Sequence, residues 1–298
     1  MITILGATGH VGGKIADILI KKGEKVRLVA RSADRLRPFV SKQAQAFAGD
    51  ALDTEFLVKT FKDTDAVYTL IPPNLKAGKF IEYADKIGES IANALEIARV
   101  NHVVNLSSGG AELPTGTGPI VGLNHMEERL NRVKGLKVLH LRPSYFMENL
   151  LWNIDMIKSK GLCGDTLRGD VKLPMIASRD IAAYAAERLL KRDFTGSTVR
   201  NLLGQRDLSM IEATEIIGRK INKPALAYVM IPYDEAEKWM VSVGFSPDVS
   251  RLFIEMGKAL SEGRIKAEKR VPENTTLTSF EKFCDEVFVP AYQQAKAA

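Results

Sequence analysis

The chain opens on a strand-length apolar run, Ile2-Thr3-Ile4-Leu5, that breaks into Gly6-Ala7-Thr8-Gly9-His10-Val11-Gly12. The three glycines have G-x-x-G-x-x-G spacing. Over residues 10–22, Val11, Ile15, Ile18 and Leu19 recur at helical intervals, and Gly23 ends the pattern. A second apolar run follows at residues 26–30. Strand, glycine loop, helix and strand make a βαβ unit whose first turn is built to meet a pyrophosphate. The first glycine permits the tight turn, the second lets backbone approach the phosphates, and the third lets helix and strand pack closely. The free N–H groups and positive dipole end of the helix then hold the anion. This nominates Gly6, Thr8, Gly9, His10, Val11 and Gly12 as cofactor-binding residues. His10 either touches a phosphate or is an exposed histidine at a helix start.

The alternation continues. Apolar runs at residues 44–48, 66–71, 102–106 and 138–141 read as strands. Helical patterns fill 54–61, 79–99 and 123–133, and a short helix capped by Ser32 runs to Leu36. Near-continuous apolar strands alternating with helices imply a parallel sheet covered on both faces. Right-handed crossovers make it a doubly wound, Rossmann-type α/β fold. The pattern weakens after Asn149. A helix over 178–190 has Ser178 as its cap and Asp180 in its first turn, and a late strand spans 198–203. Beyond Gly204 the chain reads as helices with one strand-like run at 227–231. Tyr233, Trp239, Phe245 and Phe253 sit at helical spacings and read as core. The expected organisation is an NAD(P)-binding domain over 1–152, to which 178–204 returns. A smaller, mostly helical C-terminal lobe on the substrate side covers 153–177 and 205–298.

Composition narrows the function. The 298 residues are 45% hydrophobic and 26% charged, which excludes wholesale disorder and suits one large domain or two small ones. Two cysteines, Cys163 and Cys284, cannot build a disulfide framework, and four histidines without metal-site spacing argue against zinc. No metal is expected. Cys163 reads as an ordinary thiol near the pocket mouth. No apolar run reaches membrane-spanning length and no charged-then-apolar leader opens the chain, so a soluble, cytoplasmic protein is expected. The net charge of +6, from 42 basic and 36 acidic residues, is spread along the chain. A small-molecule substrate is therefore expected, with neither nucleic acid nor membrane as partner. A homodimer stays open.

The end of the second strand bears on cofactor choice. NAD binders usually place an acid there for the ribose 2′-hydroxyl. Here the order is Val29-Ala30-Arg31-Ser32-Ala33-Asp34-Arg35. Arg31 and Arg35 can grip a 2′-phosphate, so NADP(H) is expected over NAD(H). Asp50 and Ala51, after the third strand, are adenine-side candidates, with Asp50 alternatively an N-cap. Ligands in such folds bind beyond the strands' carboxyl ends. That nominates Leu70, Ile71 and Pro72 after the fourth strand, Ser107 and Ser108 after the fifth, and Pro143, Ser144, Tyr145 and Phe146 after the sixth.

The residues Ile4-Leu5-Gly6-Ala7-Thr8-Gly9-His10-Val11-Gly12, Arg31-Ser32, Gly49-Asp50 and Leu141-Arg142-Pro143-Ser144-Tyr145-Phe146-Met147-Glu148-Asn149 together resemble the NmrA-like family of atypical short-chain dehydrogenase/reductases. The resemblance implies a Rossmann fold, bound NADP or NAD, and a substrate pocket between sheet and lobe. It implies that the strand-end residues surround the ribose and nicotinamide. Members similar to this chain include NADPH-dependent quinone and triphenylmethane-dye reductases, while others are non-catalytic dinucleotide-binding redox sensors. The pocket candidates are Ser108, His125, Phe146, Asn149 and Trp152. Many short-chain dehydrogenases use a Tyr-x-x-x-Lys acid–base pair. The stretch Gly118-Pro119-Ile120-Val121-Gly122-Leu123-Asn124-His125-Met126-Glu127-Glu128 contains neither residue. Asn124 and His125 stand nearest the lysine's place. His125 and Tyr145 are the candidates left for catalysis. The expected function is an NADPH-dependent oxidoreductase for electron-poor acceptors such as quinones or dyes, working without a Tyr-Lys pair. The alternative is a redox sensor or regulator that binds NADP(H) and turns nothing over.

Overall fold

A computed structural model describes residues 1–40 and 44–295. The first half alternates strictly. It runs β1 (Ile2–Leu5), α1 (Gly12–Lys21), β2 (Val26–Ala30), α2 (Ala33–Val40), β3 (Gln45–Ala48), α3 (Thr54–Phe61), β4 (Ala66–Thr69), α4 (Phe80–Ile97), β5 (His102–Leu106), α5 (Ile120–Arg132) and β6 (Lys137–Pro143). The chain continues through β7 (Tyr145–Phe146), a 3-10 stretch over Met147–Asn153, α6 (Ile154–Lys160), β8 (Leu162–Asp165), β9 (Leu173–Ile176), α7 (Ser178–Lys191) and β10 (Ser197–Leu202). It then adds β11 (Asp207–Leu208), α8 (Met210–Lys220), β12 (Ala227–Met230), α9 (Tyr233–Ser242), α10 (Pro247–Ser261), α11 (Phe280–Phe283) and α12 (Val289–Gln294).

Seven strands form the main sheet in the order β3-β2-β1-β4-β5-β6-β10, every pair parallel. Successive residues of a strand point to opposite faces, and the core divides accordingly. Ile4, Tyr68, Val104 and Leu139 pack with α1 and α7, through Ile15, Leu19, Ile181 and Leu189. Their neighbours Leu5, Val67, Val103 and Val138 pack with α3, α4 and α5, through Leu57, Ile87, Ile91 and Met126. Both faces are covered, which is why the strands read as unbroken apolar runs.

The lobe is mostly helical, as expected, through α6 and α8 to α12. It also holds short strands beyond the expected run at β12: β7, β9 and β11 make a three-stranded sheet, and β8 pairs in parallel with β12. Strands of two to four residues carry too little alternation to be legible in sequence. The lobe has its own core of Met147, Leu150, Met175, Leu208, Ile217, Phe280 and Phe283. Trp239, expected inside, is 52% exposed. Tyr233, Phe245 and Phe253 pack against a small cluster of Ala236, Met240 and Ile254.

Two carboxylates from distant parts of the chain meet helix N-termini. Ser178 is the first residue of α7 and not its cap. Both its N–H and its hydroxyl donate to the buried Glu148 carboxylate. The Phe80 N–H at the start of α4 donates to Asp248 Oδ2 at 2.8 Å. Each carboxylate supplies acceptors to amides that have no partner within their helix and sits at its positive dipole end. The cap of α3 is Asp53, whose side chain accepts from Phe56 N, so the alternative reading of Asp50 as the cap is corrected. Among the described residues no helix is long and apolar enough to cross a membrane.

Candidate dinucleotide and substrate cleft

The glycine loop turns out of β1 at Gly6, whose φ of +63° is left-handed. A Cβ on Gly6 would lie 2.8 Å from Leu70 Cδ2, so the residue after β4 sits directly on the loop. At Gly12 a Cβ would stand 2.4 Å from the Gly6 carbonyl oxygen, and helix α1 could not pack so closely with any other residue there. Thr8 is half-buried, Val11 is buried, and Gly9 and His10 are exposed just before the helix begins. Arg35 Nη2 donates to the Thr8 carbonyl at 2.8 Å, bringing the start of α2 onto the loop. A cleft of about 420 Å³ opens here, lined by Thr8, Gly9, His10, Lys14, Arg35 and Phe39 among others. Lys14 was not a sequence candidate; it follows the loop by two residues, and its Nζ donates to the His10 carbonyl at 3.0 Å.

Across β1 lie the residues expected on the adenine side. Arg31 is exposed after β2, and Asp50 is exposed after β3, with Oδ1 accepting from Leu52 N at 3.0 Å. Ala51 is buried beside it. Tyr83 joins this group and was missed in the sequence. Its hydroxyl donates to the Pro72 carbonyl at 3.1 Å. Burial raises its phenol above the usual range, Arg31 opposing and Asp50 adding to the effect. Nothing in sequence spacing marks a tyrosine one turn into α4 as facing strand ends 2, 3 and 4. Ile71 is buried and Pro72 half-buried on the same rim.

The far side of the cleft corrects several expectations. Ser107 is buried and its hydroxyl donates to Glu127 of α5, so it is committed beneath the cleft. Arg142 grips the same carboxylate with Nε at 3.0 Å and Nη2 at 2.6 Å, and Glu127 in turn holds the guanidinium above its ordinary pKa. Neither Glu127 nor Arg142 was a candidate. Ser108, half-buried, donates to the Gly109 carbonyl at 3.0 Å. Pro143 closes β6 in the buried layer, and Ser144 follows with an enclosed hydroxyl oxygen that has no partner among the described residues.

Tyr145 turns away into the lobe. Its ring packs on the lobe core and its hydroxyl donates to Asp165 Oδ2 at 3.2 Å. Burial pushes its phenol far up and Asp165 adds to the shift; burial also raises the Asp165 carboxyl. A phenol so placed is no proton donor to the cleft. His125 is likewise turned aside: Nδ1 lies 2.9 Å from Asp85 Oδ1 of α4, beside an Arg129–Asp85 ion pair of 2.8 Å. Residues one step apart on a helix diverge by about 100°, so Asn124 faces inward where His125 faces α4. Phe146 is half-buried against the core beneath α7. Asn149 is exposed, and Trp152, 65% exposed, meets Phe245 edge to face at 6.4 Å. Phe245 is followed by Ser246, whose N–H donates to Leu75 O after β4 at 2.8 Å. Trp152 thus stands where the loops after β4 and β6 meet the lobe. Cys163 lies in the lobe core with no exposure, and burial moves its thiol up to about 11; it is not at the pocket mouth.

A nicotinamide dinucleotide fits these residues. The loop is shaped around Gly12 for close approach, basic side chains flank it, and enclosed oxygens of Ser144 and Asn124 have no partner among the described residues. Fold and loop define a Rossmann-type protein of the nucleotide-binding class. Residues 1–283 match the NmrA-like family, and the chain belongs to it. It is 24% identical over 258 residues to an NAD(P)H azoreductase of Xenophilus azovorans, covering 86% of each chain. Its structure resembles the NADPH complex of the Escherichia coli quinone oxidoreductase QOR2, with a TM-score of 0.81 at 18% identity, covering 97% of this chain and 100% of that one. It also resembles the NADP(H) complex of Citrobacter sp. triphenylmethane reductase, with a TM-score of 0.80 at 16% identity, covering 96% and 99%.

Proposed function

We propose that the protein is an NADPH-dependent oxidoreductase that reduces a flat, electron-poor acceptor such as a quinone or a dye. The observation that carries this reading is the glycine loop, with Gly12 packed on the Gly6 carbonyl and Arg35 fastened to Thr8. When bound, the reduced nicotinamide supplies a hydride. The backbone N–H groups at the start of α1 hold the pyrophosphate. Arg31 and Arg35 neutralise the 2′-phosphate, which favours NADP(H) over NAD(H). Residues 1–152 and 178–204 hold the cofactor. The lobe supplies the acceptor's wall, with Trp152 and Phe245 presenting ring edges at its rim.

Proton supply distinguishes this site from that of an alcohol dehydrogenase. Neither Tyr145, bonded to Asp165, nor His125, bonded to Asp85, serves the cleft as an acid. A quinone accepts hydride without prior protonation, and water supplies the proton afterwards. Steady-state rates of Tyr145→Phe and His125→Ala test this. Each variant keeps kcat within about tenfold of the parent, whereas a lost general acid costs about 10²–10⁴-fold. A thousandfold fall for His125→Ala, with an ionisation missing from its pH profile, would make that histidine the acid.

A further inference from the structure

Three polar side chains rise along one face of α5. Asn131 Oδ1 lies 2.9 Å from His140 Nε2, in the body of β6. One turn earlier Glu127 meets Ser107 and Arg142 at the ends of β5 and β6. About one turn earlier again, Asn124 lies past the end of β5, over the loop that leaves it, and its Nδ2 donates to Ala111 O at 2.8 Å. Ligands of parallel sheets bind beyond the strands' carboxyl ends, and this ladder climbs from the body of the sheet toward that end. Asn124 is only 9% exposed. The bond to Ala111 fixes its amide orientation, and the other end, Oδ1, is buried with no partner among the described residues. Buried polar atoms are normally paired. A fixed, enclosed acceptor at that height calls for a hydroxyl donor from whatever the cleft binds.

We propose that Asn124 Oδ1 accepts a hydrogen bond from a hydroxyl of the bound ligand, and so positions the reacting ring. The inference rests on the dinucleotide reading above. The hydroxyl belongs either to the nicotinamide-side ribose or to the acceptor. A neutral amide transfers no proton, so Asn124 is a positioning residue and its role is distinct from that of an acid.

Calorimetric titrations of NADPH and of 2′,5′-ADP, which lacks the nicotinamide ribose, test it on the parent, Asn124→Leu and Asn124→Asp. Asn124→Leu loses about tenfold in NADPH affinity and nothing in 2′,5′-ADP affinity if the ribose is the donor. An unchanged NADPH affinity, with KM raised about tenfold for a hydroxynaphthoquinone and not for the same quinone without the hydroxyl, assigns the hydroxyl to the acceptor. Asn124→Asp reproduces the amide only when protonated, since only then does it donate to Ala111 O and still present an acceptor. With burial raising the new carboxyl, affinity for the ligand that carries the hydroxyl therefore rises, relative to the parent, as pH falls from about 8 to about 5, while that for 2′,5′-ADP does not, a split that a packing role would not produce. The proposal is overturned if NADPH, 2′,5′-ADP and KM all stay within about twofold of the parent in both variants. Equal losses for NADPH and 2′,5′-ADP, which mark a disturbed loop, also overturn it. A parent protein that binds neither nucleotide overturns the dinucleotide reading itself, and this inference with it.

Discussion

Arg35 and Thr8 are joined by a 2.8 Å hydrogen bond from guanidinium to backbone carbonyl, which holds a fixed positive charge against the glycine loop. Arg31, four residues earlier, stands exposed at the end of β2 where an acid would mark a preference for NAD. NADPH should bind at least tenfold tighter than NADH, on the order of 1.4 kcal/mol. Arg31→Ala should weaken NADPH and leave NADH nearly unchanged. Arg35→Ala should also loosen the loop and weaken both. Isothermal titration of the parent and both variants with the two nucleotides reads all six values, and equal parent affinities would contradict the assignment.

Gly9 and Gly12 differ in what a side chain would meet. A Cβ on Gly9 approaches only the Gly6 carbonyl, at 3.3 Å, whereas one on Gly12 lies 2.4 Å from that oxygen and 2.9 Å from its carbon. Gly9→Val should fold, with a melting temperature near the parent's, and fail to bind nucleotide because the branched side chain occupies the pyrophosphate's approach. Gly12→Ala should both destabilise the protein and lose binding. Thermal melts alongside titrations separate the two cases.

The Glu148 carboxylate receives three hydrogen bonds from the first residue of α7. Glu148→Ala should lower global stability by about 1–3 kcal/mol, through the lost charged acceptor and the amide left buried. Glu148→Gln should cost less, since one acceptor oxygen survives. Urea denaturation midpoints measure both.

His140 is buried with Nδ1 accepting from Asn105 Nδ2 at 3.1 Å, so the proton sits on Nε2, which donates to Asn131. Burial holds its pKa down at about 4, from an ordinary 6.5, with Arg142 lowering it further and Glu127 opposing. Between those values the unfolded chain binds a proton that the folded one refuses. Its contribution is complete above pH 6.5 and is lost as pH falls toward 4. The loss is on the order of 2–3 kcal/mol. Denaturation at pH 7 and at about pH 4.5 should show a shallower pH slope for His140→Gln than for the parent.

Much of the first half was legible because its signals are local. Helical periodicity, an apolar strand every few tens of residues and a glycine triplet at one turn specify β1 through β6 without reference to distant residues. The strand ends were named by rule, and of these residues Leu70 packs directly on Gly6 of the glycine loop. What escaped depends on pairing across the chain. Tyr145 was aimed at the cleft by its position after β6, but β7 pairs with β9 and carries its hydroxyl to Asp165, 20 residues on. Ser178 looked like a cap because serine usually caps, yet Glu148 does so from 30 residues away. Asn124 and His125 were inseparable in sequence, and the packing of α5 against α4 separates them.

The central claim is that the loop site delivers a nicotinamide hydride to an acceptor. Anaerobic oxidation of NADPH, followed optically with a panel of quinones, azo dyes and cationic triphenylmethane dyes, tests it most directly. The account predicts acceptor-dependent turnover by the parent and none by Gly9→Val. Tight NADPH binding with no oxidation by any acceptor would contradict it and mark the protein as a nucleotide sensor.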